Sequence, residues 1–114
     1  MSTTRLDPQR AIIEPAKLRD YVLSPSHPVG RFKATFLAAL GYSRDEWPTL
    51  ADDLRTQHLV HEAEHIETTV FGAKYRIVAP LAGPAGRAVA IVSIWIIRRG
   101  EQEPRLVTLY AEGS

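Results

Sequence analysis

Residues 57–75 read "QHLVHEAEHIETTVFGAKY" and contain His61-Glu62-Ala63-Glu64-His65, letter for letter H-E-x-x-H. That spacing lets two imidazoles share a zinc while a glutamate activates its water, but only on a helix, where residues four apart stand one above the other. Whether the stretch is helical or extended therefore decides the fold around it as well as the chemistry. Leu59, Ala63, Ile66 and Val70 do fall at helical spacing, yet this stripe is thin and turns His58, His61 and His65 to the opposite, wet side. Ile66, Thr68, Thr69 and Val70 are β-branched, which favours an extended chain. Extended, the two histidines of the motif lie about 13 Å apart at about 3.3 Å per residue, beyond the reach of one ion. A catalytic zinc also needs a third protein ligand. The preferred reading is a polar segment leading into a strand, with no metal and no cofactor.

Downstream, "AKYRIVAPL" (73–81) and "RAVAIVSIWIIRR" (87–99) flank "AGPAGR", whose glycines and proline predict a hairpin loop. The second run is apolar on both faces, as in a central strand, and "RLVTLY" (105–110) follows as a last strand after a turn closed by Pro104. Upstream the pattern is helical. "EPAKLRDYVL" (14–23) has Pro15 at the first helical position and Leu18 and Val22 four apart. "SPSHPVG" (24–30) breaks it. "RFKATFLAALG" (31–41) repeats Phe32, Phe36 and Leu40 on one face and stops at Gly41. "SRDEWPTLADDLRTQ" (43–57) opens on the capping-box spacing Ser43-x-x-Glu46 and aligns Trp47, Leu50 and Leu54. Helices first and strands after predict an α+β fold, its N-terminal helices packed on one face of a C-terminal antiparallel sheet. The expected organisation is one domain over 1–114: a loose arm at 1–11, a helical part at 12–57 and a mainly β part at 58–114.

The 45% hydrophobic and 24% charged composition is that of an ordinary globular chain. No apolar run reaches membrane-spanning length and "MSTTRLDPQR" has no apolar signal region, so no membrane partner is expected and the cytoplasm is the expected location. There is no cysteine, which excludes disulfides, thiol nucleophiles and thiolate metal sites. Net charge is only +1 but unevenly spread. Arg31, Lys33 and Arg44 stand in one acid-free segment; seven acids then face Arg55 alone between Asp45 and Glu67; Lys74, Arg76, Arg87, Arg98 and Arg99 follow without an acid. If the basic segments meet in space they attract phosphate; otherwise the charges cancel across packed elements.

On the sheet face away from the helices, the last strand is expected to turn Leu106, Thr108 and Tyr110 outward, with Val107 and Leu109 inward. The central strand offers Val92, Ile94 and Ile96 on one side and Ile91, Ser93, Trp95 and Ile97 on the other. Only the second set carries side-chain polar atoms, and it is expected outward. Lys74 and Arg76 alternate with Tyr75 and Ile77 on the strand before.

"LSPSHPVGRFKATFLAALGY" (23–42), "FGAKYRIVAPLAGPAGRAVAIVSIWII" (71–97) and "EPRLVTLY" (103–110) together resemble a small bacterial domain of unknown function. That domain is found alone and at the C-termini of polymorphic toxins, with "HPVG…KA…LG", "GP.GR…W" and "P.L.TLY" recurring. Phe71 stands where the pattern usually has tyrosine, and "HEAEH" lies outside the recurring runs. Its plan is similar to the ribonuclease toxin group of barnase, EndoU, colicin and RelE nucleases. The resemblance implies metal-independent RNA cleavage by attack of a ribose 2′-hydroxyl on the adjacent phosphate. It implies RNA as substrate and a cognate antitoxin or immunity protein as partner. The candidates are His27 as base or acid, Lys33 and Arg76 as cations on the phosphate, and Thr108 and Tyr110 to orient it or donate a proton. Arg31, Lys74, Ser93 and Trp95 are candidates for substrate binding, Trp95 by stacking a base. The competing reading is a non-catalytic module, antitoxin-like or RNA-binding. The apolar central sheet is compatible with a homodimer.

Overall fold

The computed structural model describes residues 3–113 of the 114-residue chain. Strand β1 (Thr3–Arg5) is followed by helix α1 (Pro15–Lys17, prolonged by a π-helical turn over Leu18–Val22), α2 (Gly30–Ala39) and α3 (Trp47–Asp53, prolonged likewise over Leu54–His58). Strands β2 (Glu62–Thr69), β3 (Gly72–Ala82), β4 (Ala88–Arg98) and β5 (Pro104–Ala111) complete it. The strands form one five-stranded sheet in the order β1-β2-β3-β4-β5, antiparallel throughout, so the α+β expectation holds. No helix among the described residues is long and apolar enough to cross a membrane.

The deciding stretch is extended. Glu62 to His65 opens β2, pairing with β1 on one side and β3 on the other, and His65 hydrogen-bonds Thr68 across a bulge. The extended chain thus separates His65, within β2, from His61, which stands just before the strand.

The three helices cover one sheet face, burying Leu18, Val22, Leu37, Leu40, Leu50 and Leu54 against Ile77, Leu81, Ile91, Trp95, Leu106 and Leu109. Gly41 ends α2 as expected, at φ 99° with its amide donating to Ala38 O. The capping-box expectation fails. Ser43 O instead accepts the Glu46 amide in a turn, and α3 starts four residues later, where Pro48 in the first turn lacks only an amide hydrogen that a helix start leaves unused.

Two further expectations are corrected. On β4 the inward set is Ile91, Ser93 and Trp95, each wholly buried in the core, so neither Ser93 nor Trp95 faces a ligand. Val92 and Ile94 lie outside that core, in cross-strand rows with Val78 and Tyr110 and with Arg76 and Thr108. On β5 Leu106 and Leu109 are both buried, three residues apart, while Val107 between them is half exposed. Strict alternation forbids this; a bulge, where Trp95 pairs with Leu106 and Ile94 with Thr108, supplies the extra residue.

The segment read as a loose arm is tied down. β1 pairs with β2, Leu6 and Ala11 are buried, and the Arg55 guanidinium donates to Pro8 O at 2.7 Å and Ala11 O at 2.8 Å. Ile12 then bridges to Arg105 at the start of β5. Residues 3–12 therefore pair with strands toward both edges of the sheet, and meet β5 only at its start. The candidate site forms farther along that edge, at Thr108 to Tyr110.

Candidate functional site

Four segments converge on the free edge of β5. The π turn of α1 contributes Tyr21, whose hydroxyl lies 3.1 Å from Thr108 Oγ1. The loop before α2 brings the His27 ring edge-on to Tyr21, 4.9 Å between centroids. From α2, Lys33 Nζ donates to Leu109 O at 3.0 Å and sits 5.5 Å from the Tyr110 ring and 6.0 Å from the Tyr21 ring. Lys17 adds a second ammonium 5.6 Å from the Tyr21 ring. An edge strand leaves every second carbonyl unpaired, and Lys33 takes one of these at the point where the hydroxyls gather. Neither lysine has a carboxylate partner among the described residues. Beside them a cleft of about 620 Å³ opens between Phe32, Lys33, Phe36 and Tyr110.

Gly30 makes this convergence sterically allowed. A Cβ there would stand 1.8 Å from Tyr21 O, so only glycine lets α2 start against the π turn. Tyr21 lies within the π turn Leu18–Val22, and such turns recur at functional sites.

His27 has a defined tautomer. Its Nδ1 accepts the amides of Val29 at 3.0 Å and Gly30 at 2.9 Å, capping α2. A nitrogen that accepts two N–H groups carries no proton, so the neutral ring holds it on Nε2 and offers that N–H as a donor. In this geometry His27 is set to stabilise negative charge rather than to remove a proton.

The remaining candidates lie apart. Arg76 shares a cross-strand row with Ile94 and Thr108 but stands two strands away, and its guanidinium is paired with Glu64. Lys74 pairs with Glu67 at 3.5 Å. The acids of β2 thus cancel the cations of β3, and the two basic segments do not merge into one patch there. Arg31 is exposed on α2, 4.8 Å from the Phe32 ring.

Ser93 and Trp95 serve the core. Trp95 Nε1 donates to Ser93 Oγ at 2.8 Å, and Ser93 Oγ meets His58 Nδ1 at 2.8 Å while His58 Nε2 reaches Ala79 O at 3.0 Å. The indole and the carbonyl fix every proton: His58 donates through Nε2 and accepts the serine hydroxyl at Nδ1. Burial holds His58 down at about 4 from an ordinary 6.5, against the opposing effect of the Ala79 carbonyl. Tyr42, bonded to Asp53 at 2.6 Å, is pushed well above the usual phenol range by burial and by that carboxylate.

Tyr21 and Lys17 are the site residues that sequence reading missed, and Tyr21 is the more telling. At i+3 from Leu18 it reads as a member of the apolar stripe with Val22, and its one further signal was a hydroxyl six residues before the loop histidine.

The chain belongs to the family described as Domain of unknown function (DUF6883), whose model matches residues 6–113. No curated protein matches the sequence. Among solved structures, the fold is similar to a chain of a contact-dependent growth inhibition toxin–immunity protein complex from Klebsiella pneumoniae 342. The TM-score is 0.69 and the identity 16%, over 95% of this chain and 98% of that one.

Proposed function

We propose that this family member is a metal-independent ribonuclease of a toxin system, acting at the free edge of β5. The observation that carries the reading is the meeting of Tyr21, His27, Lys33, Thr108 and Tyr110 from four separate segments. These are the groups that transesterification of RNA uses when no metal takes part. The ribose 2′-oxygen bonds to phosphorus and the bond from phosphorus to the 5′-oxygen breaks. The Lys33 ammonium and the His27 Nε2–H take up charge on the non-bridging oxygens. Thr108, held by Tyr21, orients the attacking hydroxyl, whose proton passes to water. The Tyr110 phenol protonates the departing 5′-oxygen and regains its proton from solvent. Likeness of fold to a chain from a toxin–immunity complex supports a place in a toxin system, with a cognate immunity protein or antitoxin as partner.

The test is incubation with labelled total RNA, with and without EDTA. Fragments ending in a 2′,3′-cyclic phosphate are expected in both, with Lys33→Ala slowing cleavage by about 100-fold, the usual effect of losing one charge-stabilising donor. Absence of fragments under every condition would remove the catalytic reading. One observation favours the non-catalytic alternative: His27 Nδ1 and Lys33 Nζ are already bonded to backbone. It predicts binding of RNA or a protein partner with no fragments.

A further inference from the structure

The helical stripe of α2 predicts Phe32 in the core beside Phe36, yet the residue is 68% exposed, while the helix buries Gly30 and Leu37. A large exposed aromatic that packing does not use is informative in a way that an exposed aliphatic is not. Phe32 forms a ridge between two clefts. One is the cleft beside Lys33 and Tyr110; the other, also about 620 Å³, lies across the ring and includes Leu23, Pro25, Arg31, Tyr42 and Arg44. Volumes of this order, about 300–1,000 Å³, suit a ligand of nucleotide size. Among the described residues, neither cleft is lined by a carboxylate. Arg44 is partly engaged, with Asp20 and Arg19 O, but Arg31 has no acidic partner among the described residues and lies 4.8 Å from the Phe32 ring centroid.

A flat apolar face flanked by unpaired cations fits a polyanion with exposed π faces. We infer that Phe32 is a stacking platform for an unpaired base of single-stranded RNA, with successive nucleotides seated in the clefts on its two sides and Arg31 on the phosphate beyond. The inference rests on reading the β5 edge as a site for RNA, and adds the path of the strand and a preference for unpaired bases. A duplex keeps its bases stacked on one another and gives the ring no face to meet.

The experiment measures binding of a fluorescein-labelled 2′-O-methyl RNA oligonucleotide by anisotropy, since that backbone has no free 2′-hydroxyl and cannot be cut. Wild type is compared with Phe32→Ala, Phe32→Leu and Phe32→Trp, and a duplex of the same sequence serves as competitor. Expected are a loss of roughly ten-fold for the Ala and Leu variants, affinity retained in the Trp variant, and weak competition by the duplex. The inference is overturned if wild type does not bind, if Phe32→Leu binds as tightly as wild type, or if the duplex competes equally. Unmodified RNA separates the two readings. Graded binding without cleavage sinks the ribonuclease and keeps the platform, whereas cleavage with a flat Phe32 series does the reverse.

Discussion

His58 shows how one buried side chain links sequence to stability. It is wholly buried, and both its nitrogens are used, one by Ser93 and one by Ala79 O. Ser93→Ala would leave His58 Nδ1 and Trp95 Nε1 without partners, at about 1–3 kcal/mol each, so urea unfolding should show a loss of about 2–6 kcal/mol. The same residue sets an acid dependence. Folded, it stays neutral down to about pH 4, whereas in the unfolded chain it takes a proton near 6.5. Between those values the unfolded state holds more protons. Stability therefore falls as pH drops through 6.5, with the loss complete near 4. At about 1.4 kcal/mol per unit the loss is about 3 kcal/mol. Urea midpoints measured across that range should slope for wild type, and the slope should flatten in His58→Gln.

At the level of elements, the site depends on how closely α2 meets the π turn of α1. Gly30→Ala places a methyl against the Tyr21 carbonyl, which no rotamer change relieves. The helices must separate, at about 1–3 kcal/mol for a packing clash of this kind. The separation also pulls His27 and Lys33 away from Tyr21 and Thr108. Cleavage is expected to fall by more than the stability loss explains, measured as initial rate at a temperature where far-UV circular dichroism shows the variant folded. An unchanged rate in a folded Gly30→Ala protein would argue that the convergence of these segments is incidental. The bulge on β5 belongs to the same scale. Without the extra residue Leu106 and Leu109 could not both enter the core, and Thr108 and Tyr110 would exchange faces.

Across the whole molecule, residues 3–12 act as a strap. They add β1 to the sheet, bury Leu6, satisfy Arg55 and reach β5 through Ile12. A loose arm would tolerate Leu6→Ala within about 0.5 kcal/mol. The strap should lose about 2–5 kcal/mol in urea unfolding, as for other buried leucines cut to alanine. By covering β5 only at its start, the strap also leaves the edge open where Lys33 meets Leu109 O.

The sequence by itself determined the order of the helices and of the last three strands, because helical and strand periods, Pro15 at a helix start and Gly41 at a helix end are local properties of a few adjacent residues; β1 fell in the segment read as a loose arm and β2 in the polar segment before the predicted strands. It favoured an extended reading of "HEAEH" through the β-branched residues just after it, and pairing of β2 with β1 and β3 decided the matter. His27, Lys33, Thr108 and Tyr110 were legible as candidates through the resemblance of their motifs. Tertiary structure alone decided which face of β4 looks inward, since a strand apolar on both sides carries no alternation to read, and polarity misled: Ser93 and Trp95 are buried because they satisfy each other and His58. It likewise decided the bulge and the strap, whose partners lie far off in sequence. It also brought Tyr21 to Thr108, 87 residues away, a meeting set by helix packing against a strand edge and by no signal within either segment.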